Sequence, residues 1–354
     1  MWSKRMLLAA LCSAMLVAGC SKDEKEEQEV DANEVIDDEG TEEVVQEQTE
    51  VYPFITPFTG ERVAEEIVQR PILATINNHP DARPQSGLAK ADVVYEMLAE
   101  GDVTRFLALY QSQIPDQIGP IRSARSYFID LAKGLDAFYI AHGYSPEAKV
   151  MLANGVVSNI NGMHYDGTYF QRSSERIAPH NSYISGENVI AGAEKVGASM
   201  IYSKKVSYPF YDSEDNVKIG TKANEVTIKY SQNGYFNSSY IYDEETKRYK
   251  RFSANVATTD YSSGEELKLA NVLFFEMPHR IIDNAGRRDI DFSTGGNAYV
   301  FQHGMMREIN WKNVDGLLVP IETDGSEVLL VPGQTWVHFV PTTPGLASAV
   351  TYME

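Results

Sequence analysis

Two polar stretches hold the residues most able to do chemistry. The first is Asn77-Asn78-His79-Pro80-Asp81-Ala82-Arg83-Pro84-Gln85-Ser86-Gly87-Leu88, directly after the apolar run at 72–76. Asn77, Asn78, His79 and Arg83 offer hydrogen-bond donors and acceptors there, while two prolines and Gly87 restrict the backbone that carries them. The same residues equally suit a loop whose Asn and Asp side chains only satisfy turn backbone. The second is Ile118-Gly119-Pro120-Ile121-Arg122-Ser123-Ala124-Arg125, running into the helix-like Ser126-Tyr127-Phe128-Ile129-Asp130-Leu131. Ser123 reads as the N-cap, which puts Arg125 in the first turn and Arg122 just outside it. Cations at a helix N-terminus oppose the macrodipole at a cost of a few tenths of a kcal/mol or more. Either a phosphate or carboxylate sits between the two guanidinium forks, or the arginines pair with internal acids such as Glu96, Asp102 or Asp130. Arg105, in Thr104-Arg105-Phe106, can join either arrangement.

Other chemistry is thinner. His142 and Ser145, in Ala141-His142-Gly143-Tyr144-Ser145-Pro146-Glu147, would be base and nucleophile, but the second glycine of a nucleophile elbow is missing and Ser145 reads more simply as a helix N-cap before Pro146. His180, in Ala178-Pro179-His180-Asn181, either lines the same cleft or belongs to a turn. Arg287-Arg288-Asp289-Ile290-Asp291 lacks the ligand and glycine placement of an EF-hand and reads as a salt-bridge cluster. There is no His-Glu-x-x-His, Walker loop, Gly-x-Gly-x-x-Gly or Ser-x-x-Lys in the sequence. The seven histidines are scattered. No metal site and no cofactor is expected, and an enzyme is less favoured than a binding protein.

The elements that would position these residues are legible as apolar runs. Segments 72–76, 93–95, 106–110 and 138–140 read as buried strands, with helices over 124–133, 146–153 and 187–196 between and after them. Interleaved strands and helices predict an α/β layer over 55–205. Beyond it the period changes: Val226, Ile228 and Tyr230 alternate with Glu225, Thr227 and Lys229. Further strands over 235–242, 267–275, 298–302 and 335–340, with turn signals at Asn233-Gly234 and Pro332-Gly333, predict a β-rich domain over 206–354. The expected fold class is therefore α+β, an N-terminal α/β domain followed by a smaller β-rich C-terminal domain.

The N-terminus is a different kind of sequence. Lys4 and Arg5 precede an apolar run at 6–16 that is too short for the roughly 20 residues a membrane span needs, as in a signal peptide over 1–19. Val17-Ala18-Gly19-Cys20 is similar to a bacterial lipobox, making Cys20 the expected lipidation site and predicting attachment to the extracytoplasmic face of the cell membrane. The only other cysteine, Cys12, lies in the segment that would be removed, so the mature chain makes no internal disulfide. Residues 20–54 then read as a solvated, self-repelling tether, because 21–50 holds fourteen acids against two lysines and no aromatic residue. The formal charge of −19 divides into +2 before Cys20, −12 over 21–50 and −9 over 51–354. With no basic stripe to neutralise phosphates along a duplex, nucleic acid is not an expected partner.

The two polar stretches, together with Pro332-Gly333-Gln334-Thr335-Trp336, resemble the YerB-like lipoproteins of Gram-positive bacteria over 55–345. That resemblance implies a division into N- and C-terminal parts and brings no catalytic residues, the family having no assigned function. Thr104-Arg105-Phe106 and Ile121-Arg122-Ser123-Ala124-Arg125 are also loosely similar to the strand-end arginines of LytR-CpsA-Psr glycopolymer transferases, without an evident Mg²⁺ ligand. Three functions follow as expectations. The first is a non-enzymatic, membrane-anchored envelope protein binding an anionic glycopolymer, lipid head group or protein partner through Asn77, Asn78, His79, Arg83, Arg122 and Arg125. The second is a phosphoryl or glycopolymer transferase using Mg²⁺ on Glu96 or Asp102. The third is an interaction module presenting Tyr235, Phe236, Tyr240 and Tyr242.

Overall fold

A computed structural model describes residues 52–354. The signal segment, Cys20 and most of the expected tether lie outside the described residues. The last tether positions, 52–54, belong instead to the folded unit, where Phe54–Ile55 pairs with Arg62–Val63. No helix among the described residues is long and apolar enough to cross a membrane.

In chain order the main elements are β1 (Ile72–Asn77), β2 (Val93–Glu100), β3 (Val103–Tyr110), α1 (Ser126–Gly134), β4 (Phe138–Ala141), α2 (Pro146–Ala153), β5 (Asn159–Asn161) and α3 (Gly186–Lys195). There follow β6 (Thr221–Lys222), β7 (Glu225–Ile228), β8 (Ser238–Asp243), β9 (Arg248–Ser253), β10 (Asn271–Met277), β11 (Gly296–Gln302), β12 (Met305–Val314), β13 (Leu317–Ile321), β14 (Thr335–Pro341) and β15 (Val350–Met353). An eleven-stranded mixed sheet runs β6-β12-β11-β10-β14-β2-β3-β1-β4-β5, with β13 on β12. A six-stranded sheet contains β9-β8-β7-β15 and two short strands at Val256–Ala257 and Lys268–Leu269.

The central strands are buried on both faces, which is why they are continuous apolar runs in the sequence. Leu73, Tyr95, Leu107, Leu109 and Phe339 point to one face, where α1 lays Tyr127, Phe128 and Leu131 against them. Ile72, Ile76, Phe106, Tyr110 and Trp336 point to the other, against Val189 of α3 and the inward residues Val226, Ile228, Tyr240 and Tyr249 of the second sheet. The α+β class therefore holds, with few helices and many strands. The change of period near 205 is real in sequence, yet the halves share one sheet: β14 lies parallel between β2 and β10.

A buried polar network ties the second sheet to the first half. Glu96 and Arg251 are both fully buried and paired at 2.8 Å. Glu96 also accepts from Trp336 Nε1 at 3.0 Å, Thr104 Oγ1 at 2.9 Å and Asn78 Nδ2 at 3.3 Å. Arg251 lies against the Trp336 and Phe106 rings, 4.4 and 5.1 Å from their centroids. Burial alone would raise the Glu96 pKa, but Arg251 and His338 hold it below its ordinary value. Burial pushes His338 down to about 3 and His279 down to about 4, from 6.5.

Both histidines thus take up a proton less readily folded than unfolded. The stability tied to their neutral forms is complete above pH 6.5 and is lost as the pH falls towards 4 and 3. Each is worth up to about 1.4 kcal/mol per pH unit within its window. Burial raises Asp92 to about 6, an opposite effect confined to the interval between 6 and 3.8. The expected result is a urea midpoint that declines from pH 6.5 to pH 4.

Candidate functional site

The site forms where the chain crosses the C-terminal ends of the parallel pair β1 and β4. Arg122 N–H donates to Thr75 O at 2.8 Å, and His142 N–H donates to Arg122 O at 3.0 Å, so the Arg122 backbone is clamped between the two strands. Ile121 N–H donates to Ser182 O at 2.6 Å and Asn77 N–H to Pro120 O at 2.8 Å, which brings the 178–182 segment and the Asn77 loop to the same edge. Two glycines permit this closeness. Gly143 has φ +98° and a Cβ there would stand 2.5 Å from Ser123 Oγ, while a Cβ on Gly162 would stand 2.2 Å from the His142 ring.

Most of the expected ligand-binding residues are brought together, but they are not equivalent. Asn77 and Asn78 are buried. Asn78 Nδ2 donates to Thr104 Oγ1 at 2.7 Å, and its Oδ1 accepts from Arg83 Nε at 3.0 Å and Gln85 Nε2 at 3.1 Å. Arg83 spends its remaining donors on Asn78 O and Tyr235 O, both at 2.9 Å. Asn78 and Arg83 thus brace the loop and present little to a ligand. His79 caps the short 3₁₀ turn Pro80–Ala82 and stacks on His180, ring centroids 4.7 Å apart at 25°. Asn77 Nδ2 lies 2.8 Å from His180 Nδ1. His180 belongs to a turn, its N–H donating to Ile177 O at 2.9 Å, and that turn sets its ring beside the Asn77 loop.

The arginines divide. Arg105 and Arg125 are buried and pair with Glu100, Arg105 at 3.0 Å and Arg125 through Nη2. Internal pairing is therefore what these two do, and the acid is none of Glu96, Asp102 or Asp130. Glu96 is consumed by Arg251 and Trp336, and Asp102 accepts from Ser231 Oγ at 2.6 Å. The N-cap of α1 is Arg125, not Ser123, because Ser123 Oγ donates instead to His142 O at 3.2 Å. Ser145 caps α2, accepting from Ala148 N–H at 3.3 Å. Arg125→Ala should lower stability by about 1–3 kcal/mol, as a buried donor set and half of a partly buried ion pair are lost. Urea denaturation of the variant against wild type measures it.

Arg122 stands apart. It is half-buried, and its guanidinium has no hydrogen bond or ion pair among the described residues. It lies near enough to Glu100, Arg125, Arg105, His142 and His180 to affect or feel their charges. Three guanidiniums thus share one carboxylate. Burial and, against the pull of Glu100, the charge of Arg125 lower the Arg122 pKa. This is a half-buried excess of positive charge with one uncommitted planar donor fork, suited to a phosphate or carboxylate.

Beside it, His142 Nδ1 meets Ser182 Oγ at 2.7 Å and its Nε2 meets Arg172 Nη2 at 3.0 Å. A guanidinium only donates, so Nε2 accepts and the His142 proton sits on Nδ1. In that tautomer His142 donates to Ser182 and its Nε2 lone pair is taken by Arg172, while Ser145, the nucleophile weighed beside it, caps α2. Arg172 is held by Asp166 at 2.9 Å. Sequence reading missed Glu100, Asp166, Arg172 and Ser182; none stands in a motif, and only the crossing of chain segments assembles them. His79, Asp81 and His180 are the described residues that could hold a metal ion.

Comparison with known proteins agrees with this architecture. The family described as "Protein of unknown function (DUF3048) N-terminal domain" matches residues 58–199, and its C-terminal counterpart matches 226–337. A Bacillus subtilis (strain 168) protein with the name "Putative lipoprotein YerB" is 42% identical over 287 residues, 80% of this chain and 86% of its own. The chain belongs to the DUF3048 family. The crystal structure of YerB from Bacillus subtilis is similar with a TM-score of 0.78 at 39% identity, covering 85% of this chain and 100% of that one. Membership of the DUF3048 family carries the two-part α+β organisation and a lipoprotein relative, and assigns no function.

Proposed function

We propose that the protein is a lipoprotein anchored through Cys20 to the outer face of the cell membrane, where it binds, without catalysis, an anionic group of an envelope glycopolymer, lipid head group or protein partner. The observation that carries this reading is Arg122, a half-buried guanidinium without a partner among the described residues, in a cluster where Glu100 balances only one of three arginines. The lipobox-like Val17-Ala18-Gly19-Cys20 and the lipoprotein relative support the anchor. About 30 tether residues at roughly 5–6 Å × √n would let the domain sample some 30 Å above the bilayer, the layer in which such ligands occur.

The transferase alternative fares worse. Its acids are committed elsewhere, and the carboxylate that does face the arginines, Glu100, already bridges two of them. Purification of the detergent-solubilised protein from membranes, with mass spectrometry of what accompanies it, tests the binding reading. A phosphate- or carboxylate-rich companion should be enriched with wild type and depleted with Arg122→Ala. An identical set of companions for both would refute it.

A further inference from the structure

The geometry points to a Zn²⁺-type metal site formed by His79, Asp81 and His180. The fold brings together two imidazoles that are far apart in sequence, and one ligand atom from each of the three residues lies within 4.8 Å of the others. Asp81 Oδ2 is 3.5 Å from His79 Nδ1 and 4.0 Å from His180 Nε2. Metal–ligand bonds of about 2.0–2.2 Å place tetrahedral ligands roughly 3.4 Å apart, so the set closes by a small contraction. Asp81, its side chain 72% exposed, supplies part of the movement, and His79 supplies the rest by giving up the Asp81 N–H that its Nδ1 accepts at 3.3 Å. Two imidazoles and a carboxylate favour Zn²⁺ over Mg²⁺ or Ca²⁺, and three protein ligands leave a coordination position open.

The surrounding contacts position the three residues but hold His180 in its metal-free tautomer, so that Zn²⁺ binding costs the Asn77–His180 hydrogen bond. Asn77, buried at the end of β1, accepts from His79 N–H at 3.0 Å through Oδ1 and meets His180 Nδ1 at 2.8 Å through Nδ2. One buried amide therefore fixes the His79 backbone and the His180 ring, while the His79 ring is set by accepting from Asp81 N–H at 3.3 Å. In the metal-free arrangement Asn77 donates to His180 Nδ1, and the His180 proton is on Nε2, towards Asp81. Zn²⁺ at Nε2 takes the place of that proton, which moves to Nδ1 and requires an acceptor from residue 77. Asn77→Asp provides one permanently: one carboxylate oxygen keeps the His79 N–H and the other accepts Nδ1–H.

The site is tested with Zn²⁺ alone, independently of any anion at Arg122, by competition against a chromophoric chelator using the detergent-solubilised full chain. Wild type should bind one Zn²⁺ more than His79→Ala/His180→Ala. Asp81→Asn, altered at an exposed side chain that does not threaten folding, should weaken that Zn²⁺ by about tenfold or more, and Asn77→Asp should tighten it by roughly tenfold. Equal stoichiometry and affinity for wild type, the double variant and Asp81→Asn would overturn the assignment, as would weaker binding by a folded Asn77→Asp protein.

Discussion

Arg251→Met is expected to destabilise the protein by about 3–5 kcal/mol, the largest effect of any single substitution considered for this fold. The size comes from what is left behind. Glu96 stays fully buried and keeps Trp336, Thr104 and Asn78 as donors but has no countercharge. Ser238, Ser253 and Thr258 each lose a guanidinium partner at 2.7–2.8 Å. The cation between the Phe106 and Trp336 rings also goes. Removing both charges, as in Glu96→Gln with Arg251→Met, should cost less than the sum of the single changes, because no unpaired ion remains. Urea denaturation of the three variants gives the coupling. A near-zero coupling would mean that the pair does not join the second sheet to the first half energetically.

The second large effect is expected in binding and not in stability. Arg122→Ala removes a guanidinium that makes no hydrogen bond within the described chain and whose attraction to Glu100 is set against repulsion from Arg125 and Arg105, so stability should change by no more than about 1 kcal/mol. Affinity for the anionic ligand should fall by roughly 30-fold or more, about 2 kcal/mol, as for truncation of an anchoring arginine. Arg122→Lys should recover part of this, since an ammonium keeps the charge but not the planar fork. This separates Arg122 from Arg125 and Arg105, whose loss should register first as instability.

The sequence showed local structure well and assembly poorly, for identifiable reasons. Helix α2 and the strands at β1, β3, β4, β11 and β14 follow from apolar runs, a proline and a serine cap, because central strands and capped helices are specified by neighbouring residues. Strands β9, β12, β13 and β15 went unread, being polar on alternate positions or short. The joining of both halves into one sheet depends on β14 pairing with β2, which no local period encodes. The arginines were legible as an electrostatic conflict at the start of α1. Which of them is resolved internally was not, since Glu100 reaches them only once β2, β3 and the Arg122 segment are folded together. The same holds for His79 and His180, unremarkable as isolated histidines and stacked in the fold.

The central claim, that Arg122 is an anion receptor, is tested most directly by fluorescence anisotropy of a labelled glycerol phosphate oligomer titrated with the solubilised protein at fixed salt. Wild type should bind, Arg122→Ala should bind roughly 30-fold more weakly, and Arg62→Ala, which deletes the same charge from an exposed position, should match wild type. Equal weakening by Arg62→Ala and Arg122→Ala, or no binding by wild type, would contradict the account.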